Sequence, residues 1–248
     1  MLDIIKNKRP VPPRPEANGH QSLTTFINPV SYLIARDQRH LYQQFDYLLA
    51  DGWLFVAALR FAGIPAKRFS FDMTSMAFSV FNDAISNNKS IYFIGAKQAE
   101  IERFIKMIQQ HFPKLNILGY RDGYFSDNAE RDETLECIKI LAPDIVVAGL
   151  GVPLQEKFLV DLYHKGWSGQ GYTCGGFIHQ TIDRLNYYPD WINKFNLRMP
   201  YRFIKEPHFR KRLPDYFKFL YAFTKDCFSY KVQPHQIKRK IKQPTIVK

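Results

Sequence analysis

The sequence has little cysteine. Cys137, Cys174 and Cys227 lie far apart and form no CxxC pair, which argues against a zinc site or a disulfide framework and suits a reducing compartment. No apolar run approaches the roughly 18 residues that a membrane-spanning helix needs, and the opening stretch MLDIIKNKRPVPPRPEANGHQ has no apolar core of signal-peptide length. A cytoplasmic protein is expected, with any membrane contact peripheral. The GxxxxGK[ST] loop, a GxGxxG turn between strand and helix, and the GxSxG elbow are all missing, so ATP hydrolysis, dinucleotide binding and α/β-hydrolase chemistry lack their usual signatures. No His/Asp/Glu cluster has metal-ligand spacing and no DxD closes a strand. Neither a metal nor a cofactor is expected.

Acidic residues are scarce in one region only. The formal net charge of the 248-residue chain is +12; residues 1–193 balance 20 basic against 20 acidic side chains, whereas residues 194–248 hold 15 basic and 3 acidic ones. A neutral body with a cationic tail points to a local contact with anions or a membrane surface.

What is present is an alternation. Residues 1–20 are expected to form an extended lead-in, because four prolines fall within residues 7–20. Short apolar runs at YLLADG, SIYFIG, NILGY, DIVVAGLG and GYTCGGF suggest buried strands. Between them lie helix-length stretches at 97–111, 127–141 and 153–165, the first placing Ile101, Phe104, Ile105 and Ile108 on one face. The pattern predicts an α/β domain over 21–195, Rossmann-like, with a largely parallel sheet flanked by helices. Ligands bind beyond the carboxyl ends of such strands, where Asp51, Gly95, Gly123, Gly149, Gly151, Gly175 and Gly176 fall.

Residues 196–248 read as a helical appendage. Pro200, Pro207 and Pro214 recur at seven-residue intervals and are expected to cut it into short helices. Aromatic residues interleave with basic ones from Tyr201 to Tyr230, a mixture suited to a membrane interface. The same mixture suits single-stranded nucleic acid, whose bases stack on rings. The last stretch, HQIKRKIKQPTIVK, is expected to be an electrostatic tether, and the appendage as a whole to be separable from the body.

Several motifs occur in a specific order: ADGWLFVAALRFAGIPAKR, DGYF, GLGVPLQE, CGGF, YYPDW and LRMPYRFIKEPHFRKR. In order and spacing they resemble the WecG/TagA/CpsF family of bacterial glycosyltransferases, from about Thr24 to Arg212. The resemblance implies a peripheral enzyme at the inner face of the cytoplasmic membrane, with an oligomer compatible. It also implies transfer of a sugar from a UDP-sugar to a polyprenyl-diphosphate-linked sugar acceptor, with inversion and without a metal, in surface-polysaccharide assembly. Nucleic acid is not an expected partner under this reading.

Residue by residue, the resemblance implies that Asp51 is the general base, although ADG would also suit a turn closed by the Asp side chain. A base of this kind takes the acceptor proton as that oxygen attacks the anomeric carbon, and the apolar setting of YLLADGW would raise its pKa. Gln155 would meet sugar hydroxyls or nucleotide groups, or else cap the helix that follows. Glu156 would fix the loop by accepting backbone N–H groups. Arg68 would contact the donor phosphate, and Arg202, Arg210 and Arg212 would grip diphosphate as bidentate forks. Thr25, Asn28, Gly149, Gly151, Gly175, Gly176 and His179 complete the expected substrate site. The sequence departs from the family's common pattern in having His179, Asp183 and Tyr187 after the Gly-Gly pair, and Phe26 two residues before Asn28. In these changes the chain is similar to family members of exopolysaccharide assembly rather than to those with an N-acetylmannosamine donor, so the resemblance implies glucose or a related hexose, or an N-acetylhexosamine-type sugar, as donor sugar.

Overall fold

The computed structural model describes residues 1–8, 21–182 and 210–240, with single positions between 184 and 204, and the backbone alone over 231–240. Its centre is a six-stranded sheet made of β1 (Ser22–Ile27), β2 (Tyr47–Ala50), β3 (Ser90–Gly95), β4 (Asn116–Arg121), β5 (Ile145–Gly149) and β6 (Gln170–Thr173). The order is β2-β1-β6-β5-β3-β4, and every pairing is parallel. The Rossmann-like fold read from the sequence is the one observed. β1 lies inside the sheet, with Thr24 opposite both Tyr47 and Tyr172. The alternation of apolar runs passes over this strand, because SLTTFI is half polar; its threonines are buried all the same.

Both sheet faces are covered, and the strands alternate between two cores. Leu48, Ala50, Tyr92, Ile94, Val146 and Ala148 point to one; Leu49, Ile91, Phe93, Ile145 and Val147 point to the other. This is the two-sided burial expected of a parallel sheet. The first core is packed by α1 (Leu2–Asn7), α2 (Pro29–Asp37), α3 (Arg39–Gln43), α4 (Trp53–Phe61), α7 (Asn128–Leu141) and α8 (Leu154–His164). The second is packed by α5 (Met76–Ser86), α6 (Gln98–His111) and the short α9 (Phe177–Gln180). On α6, Ile101, Phe104, Ile105 and Ile108 are the buried residues. At the sheet's carboxyl edge β3 and β5 approach so closely that a Cβ on Gly95, whose φ is +146°, would stand 2.5 Å from the Gly149 carbonyl oxygen.

The chain ends differ from expectation. Leu2–Asn7 are helical rather than extended, and Met1, Leu2, Ile4 and Ile5 enter the first core. The rest of the expected lead-in, residues 9–20, lies outside the described residues. At the other end α10 (Leu213–Lys240) is one 28-residue helix, so the chain after Pro214 is not cut into short ones; the breaks expected at Pro200 and Pro207 fall in a stretch of which only single positions are described. Pro214 sits in its first turn, where the missing N–H breaks no helical bond. α10 packs on the body: Phe219, Phe223 and Cys227 are buried in the first core. Phe219 lies 5.5 Å from Tyr32 and 5.9 Å from Phe55 between ring centroids. Asp226 locks the helix onto α2, accepting from the Tyr32 hydroxyl at 2.6 Å and from Arg36 at 2.7 and 2.9 Å. Burial pushes this carboxyl up, but the bonds from Arg36 and Tyr32 outweigh it and hold Asp226 below the usual carboxylate range. Among the described residues no helix is long and apolar enough to cross a membrane.

Candidate active site

Four strands end at one cleft. The segments after β1, β2, β5 and β6 line a cavity of about 690 Å³, together with the loop at Arg68–Asp72 and the start of α10. It lies where ligands bind in an open α/β sheet, beyond the strand carboxyl ends, and its size is that of a small-molecule site.

One wall is charged. Asp51 follows β2 directly, its amide donating to the Ile27 carbonyl at 2.8 Å. Gly52, at φ +81°, then turns the chain into α4. Arg68 runs beside it, since Ala50 and Arg68 form a parallel bridge. Its Nε stands 3.5 Å from Asp51 Oδ1, and its Nη2 donates to Ser70 Oγ at 2.6 Å and Asp72 Oδ2 at 3.0 Å. Asp72 in turn accepts from Ser70 and Thr74. The apolar setting expected around Asp51 is not what surrounds it: the carboxylate is a third exposed and faces a guanidinium. Sequence reasoning named Arg68 and Asp51 but missed Ser70 and Asp72, although RFSFD repeats polar groups two and four residues after the arginine.

The opposite wall is uncharged on its surface. Gly151, at φ +78°, precedes a cis Val152–Pro153 bond and α8. Gln155 does not cap that helix, which has no side-chain cap. It is buried, accepts from the Gly175 amide at 3.1 Å, and donates to Glu156 Oε1 at 3.1 Å. Glu156 is wholly buried and accepts from the Thr25 hydroxyl at 2.9 Å; it ties Thr25 to Gln155 and lies behind the cleft lining. Burial raises its pKa, against the opposing bonds from Gln155, Thr25 and its own backbone amide. Thr173 Oγ1, which does line the cleft, donates to Thr25 Oγ1 at 2.9 Å. Gly175 turns at φ +53°, and Gly176 follows it along the cleft. Cys174 lines the cleft too, and burial lifts its thiol to about 12.

The remaining candidates divide. Asn28 lines the cleft while capping α2, its Oδ1 accepting from the Val30 and Ser31 amides at 3.0 Å each. Arg212 reaches the cleft at the start of α10, next to Asp215 and Tyr216. Arg210 donates to the Ile204 carbonyl at 3.1 Å and is not part of the lining. Gly149 supports the edge from below, within 3.1 Å of the Gly175 carbonyl at its Cβ position. His179 pairs with Glu100 on α6 at 2.8 Å, outside the cleft lining. Arg202, Asp183 and Tyr187 lie outside the described residues.

A parallel α/β sheet whose strand ends gather a carboxylate, arginines and a fixed amide around one cleft is the frame of a group-transfer enzyme, and the comparisons make it a glycosyltransferase. The model described as the Glycosyl transferase WecG/TagA/CpsF family matches residues 15–233, and the chain belongs to that family. A UDP-Gal:alpha-D-GlcNAc-diphosphoundecaprenol beta-1,4-galactosyltransferase from Shigella boydii is 37% identical over 206 residues, 82% of this chain and 86% of the relative. Two N-acetylglucosaminyldiphosphoundecaprenol N-acetyl-beta-D-mannosaminyltransferases are more distant. Those of Bacillus spizizenii and Bacillus subtilis are 27% and 28% identical, over 73% and 72% of this chain and 68% of each relative. The single-stranded nucleic acid reading finds no support: Phe219 and Phe223, two of its stacking candidates, are core residues.

Proposed function

We propose that this chain transfers a hexose from a UDP-sugar to an N-acetylglucosamine-type sugar carried on a polyprenyl diphosphate, with inversion, in surface-polysaccharide synthesis. The observation that carries the reading is the Asp51–Arg68 pair at the end of β2, 3.5 Å apart inside the cleft. Asp51 takes the acceptor hydroxyl proton, and Arg68 and Arg212 meet the phosphates of donor and acceptor. Guanidinium forks supply the charge that a metal would otherwise bring to the leaving diphosphate. The 37%-identical galactosyltransferase supports a hexose over an N-acetylmannosamine donor. The relatives' names specify β-linked products, which an α-linked nucleotide donor yields by inversion.

The acceptor lipid requires a membrane, and α10 offers a face for it. Phe217, Tyr221 and Phe228 are exposed on the side opposite Phe219, Phe223 and Cys227, among Lys218 and Lys225. We place this face on the inner leaflet, aromatics inserted and lysines at anionic headgroups.

The test is a panel of UDP-sugars assayed for UDP release with EDTA present, with and without a polyprenyl-diphosphate-linked N-acetylglucosamine. Acceptor-dependent transfer from a UDP-hexose, giving a β-linked product, is expected. Transfer that needs added Mg²⁺ or Mn²⁺, or a retained anomeric configuration, would remove the corresponding part of the proposal.

A further inference from the structure

The helix α4 has no polar face. Its sequence, WLFVAALRF, buries Phe55, Val56 and Leu59 in the first core, and the residues turned the other way are just as apolar. Trp53, Ala57 and Phe61 follow one another at four-residue spacing, which puts them on one side of the helix. All three are exposed, Trp53 by 52% and Phe61 by 78%. Arg60 is the helix's single charged residue, and its Nε donates to the Ala66 carbonyl at 3.0 Å. A helix that is apolar all round belongs in a protein core or in lipid, yet this one lies at the surface. An exposed apolar patch of that kind marks a contact.

The charge around the patch says with what. Between Asp51 and Asp72 the chain carries no carboxylate at all. Over residues 53–67 the exposed charges are Arg60 and Lys67. By contrast α7, which packs the same core, exposes Asp132 and Glu133. Aromatic rings flanked only by cations suit the interface of an anionic bilayer, rings at headgroup level and cations at the phosphates. In a twofold contact with a second copy the same face would meet itself, cations included, with no carboxylate of its own to offer.

The patch also continues from the site. Trp53 and Leu54 line the cleft from α4, and Arg212 and Tyr216 line it from α10. Beyond them α10 exposes Leu213, Phe217 and Tyr221. The two helices meet through Phe55 and Phe219, 5.9 Å apart between ring centroids. From Trp53 the exposed stripe runs eight residues, or about 12 Å, away from the cleft to Phe61.

We propose that α4 is a second membrane-seating helix, whose Trp53, Ala57 and Phe61 lie on an anionic bilayer and turn the cleft mouth to the lipid surface. One helix on a membrane leaves the body free to swing about it; a second helix at the same cleft fixes its tilt. The inference deepens the proposed function and rests on it for its purpose: a sugar diphosphate held by a lipid would meet Arg212 and Asp51 without leaving the bilayer.

Hydroxyl-radical footprinting of the wild-type chain, with and without vesicles of phosphatidylglycerol and phosphatidylcholine, reads the contact without donor or acceptor. Oxidation of Trp53 and Phe61 should fall at least about threefold with vesicles, as expected for side chains that enter the interface. Tyr163, exposed at the far end of α8, should keep its rate. Unchanged oxidation of Trp53 and Phe61 would overturn the proposal. So would shielding that appears without lipid as protein concentration rises, which means a second copy, or shielding that needs the lipid-linked sugar in the vesicles, which means the acceptor's own chain. Phe61 lies outside the cleft lining, so Phe61→Asp separates seating from chemistry. It should bind the vesicles about ten- to a hundredfold more weakly, the worth of one buried phenyl ring, and lose transfer to a vesicle-held acceptor to match. Transfer to a short-chain, water-soluble acceptor analogue should stay within about twofold. Undiminished vesicle binding, or an equal loss on the soluble analogue, would overturn the assignment. If the wild type transfers sugar to neither acceptor, the functional reading fails while the footprint still decides the seating.

Discussion

The two walls of the cleft are built on opposite principles. On the β2 side Asp51, Arg68 and Asp72 form a chain of ion pairs that stays partly exposed. Across the cleft Thr25, Thr173, Gln155 and Glu156 are almost wholly buried and present no charge at the surface. Exposed ion pairs are weakly held and readily exchanged for a ligand's charges, whereas a buried hydrogen-bonded network fixes the side chains that form it. Under the proposed function the tasks divide in the same way: the charged wall would handle a proton and phosphates, and the uncharged wall would hold the donor in place.

Four perturbations bear on this division. The largest effect is expected from removing α10, because the chain beyond Leu213 covers Tyr32 and Phe55 in the core. Truncation before Leu213 should abolish cooperative thermal unfolding, and a truncated body with a sharp native melt would show that both walls stand without the helix. Next, Asp51→Asn should lower kcat by about 10² to 10⁴, the usual contribution of a general base. Turnover near wild type would take Asp51 out of the mechanism. Phe219→Ala should cost about 3–5 kcal/mol in urea denaturation, since the ring is fully buried, yet leave the residual native protein's KM for donor unchanged.

Asp226→Asn gives a smaller effect with a pH signature. Its folded pKa lies below the ordinary 3.8, so the carboxylate's contribution is complete well above 3.8 and fades as pH falls through the folded value. The variant should lose about 1.5–3 kcal/mol at neutral pH, the range for bonds to a charged group, with the deficit shrinking below pH 3.8. A deficit that grows on acidification would contradict the ion-pair account of how α10 is docked.

Much of this was legible in the sequence, for reasons that particular residues show. The 3.6-residue period of α6 and the strands SIYFIG and DIVVA carry their burial in their side chains, and a parallel α/β sheet followed. Asp51, Gln155 and Arg68 were legible because they sit at strand ends or beside them. β1 was not, since Thr24 and Thr25 are polar by composition and buried by partnership. α10 was misjudged because Pro214 looks like a break until its place in a first turn is known, and because Phe219 and Phe223 look no different in sequence from the exposed Phe217 and Tyr221. Glu156 read as a loop carboxylate; only the distances to Thr25 and Gln155 reveal a hub.

The division between the walls is tested most directly by titrating the UDP-sugar into Asp51→Asn and Gln155→Ala side by side. Asp51→Asn should bind donor as the wild type does although its turnover is lost, and Gln155→Ala should bind about three- to tenfold more weakly, the worth of one hydrogen bond to a ligand. The reverse pattern, with donor binding lost in Asp51→Asn and intact in Gln155→Ala, would contradict it.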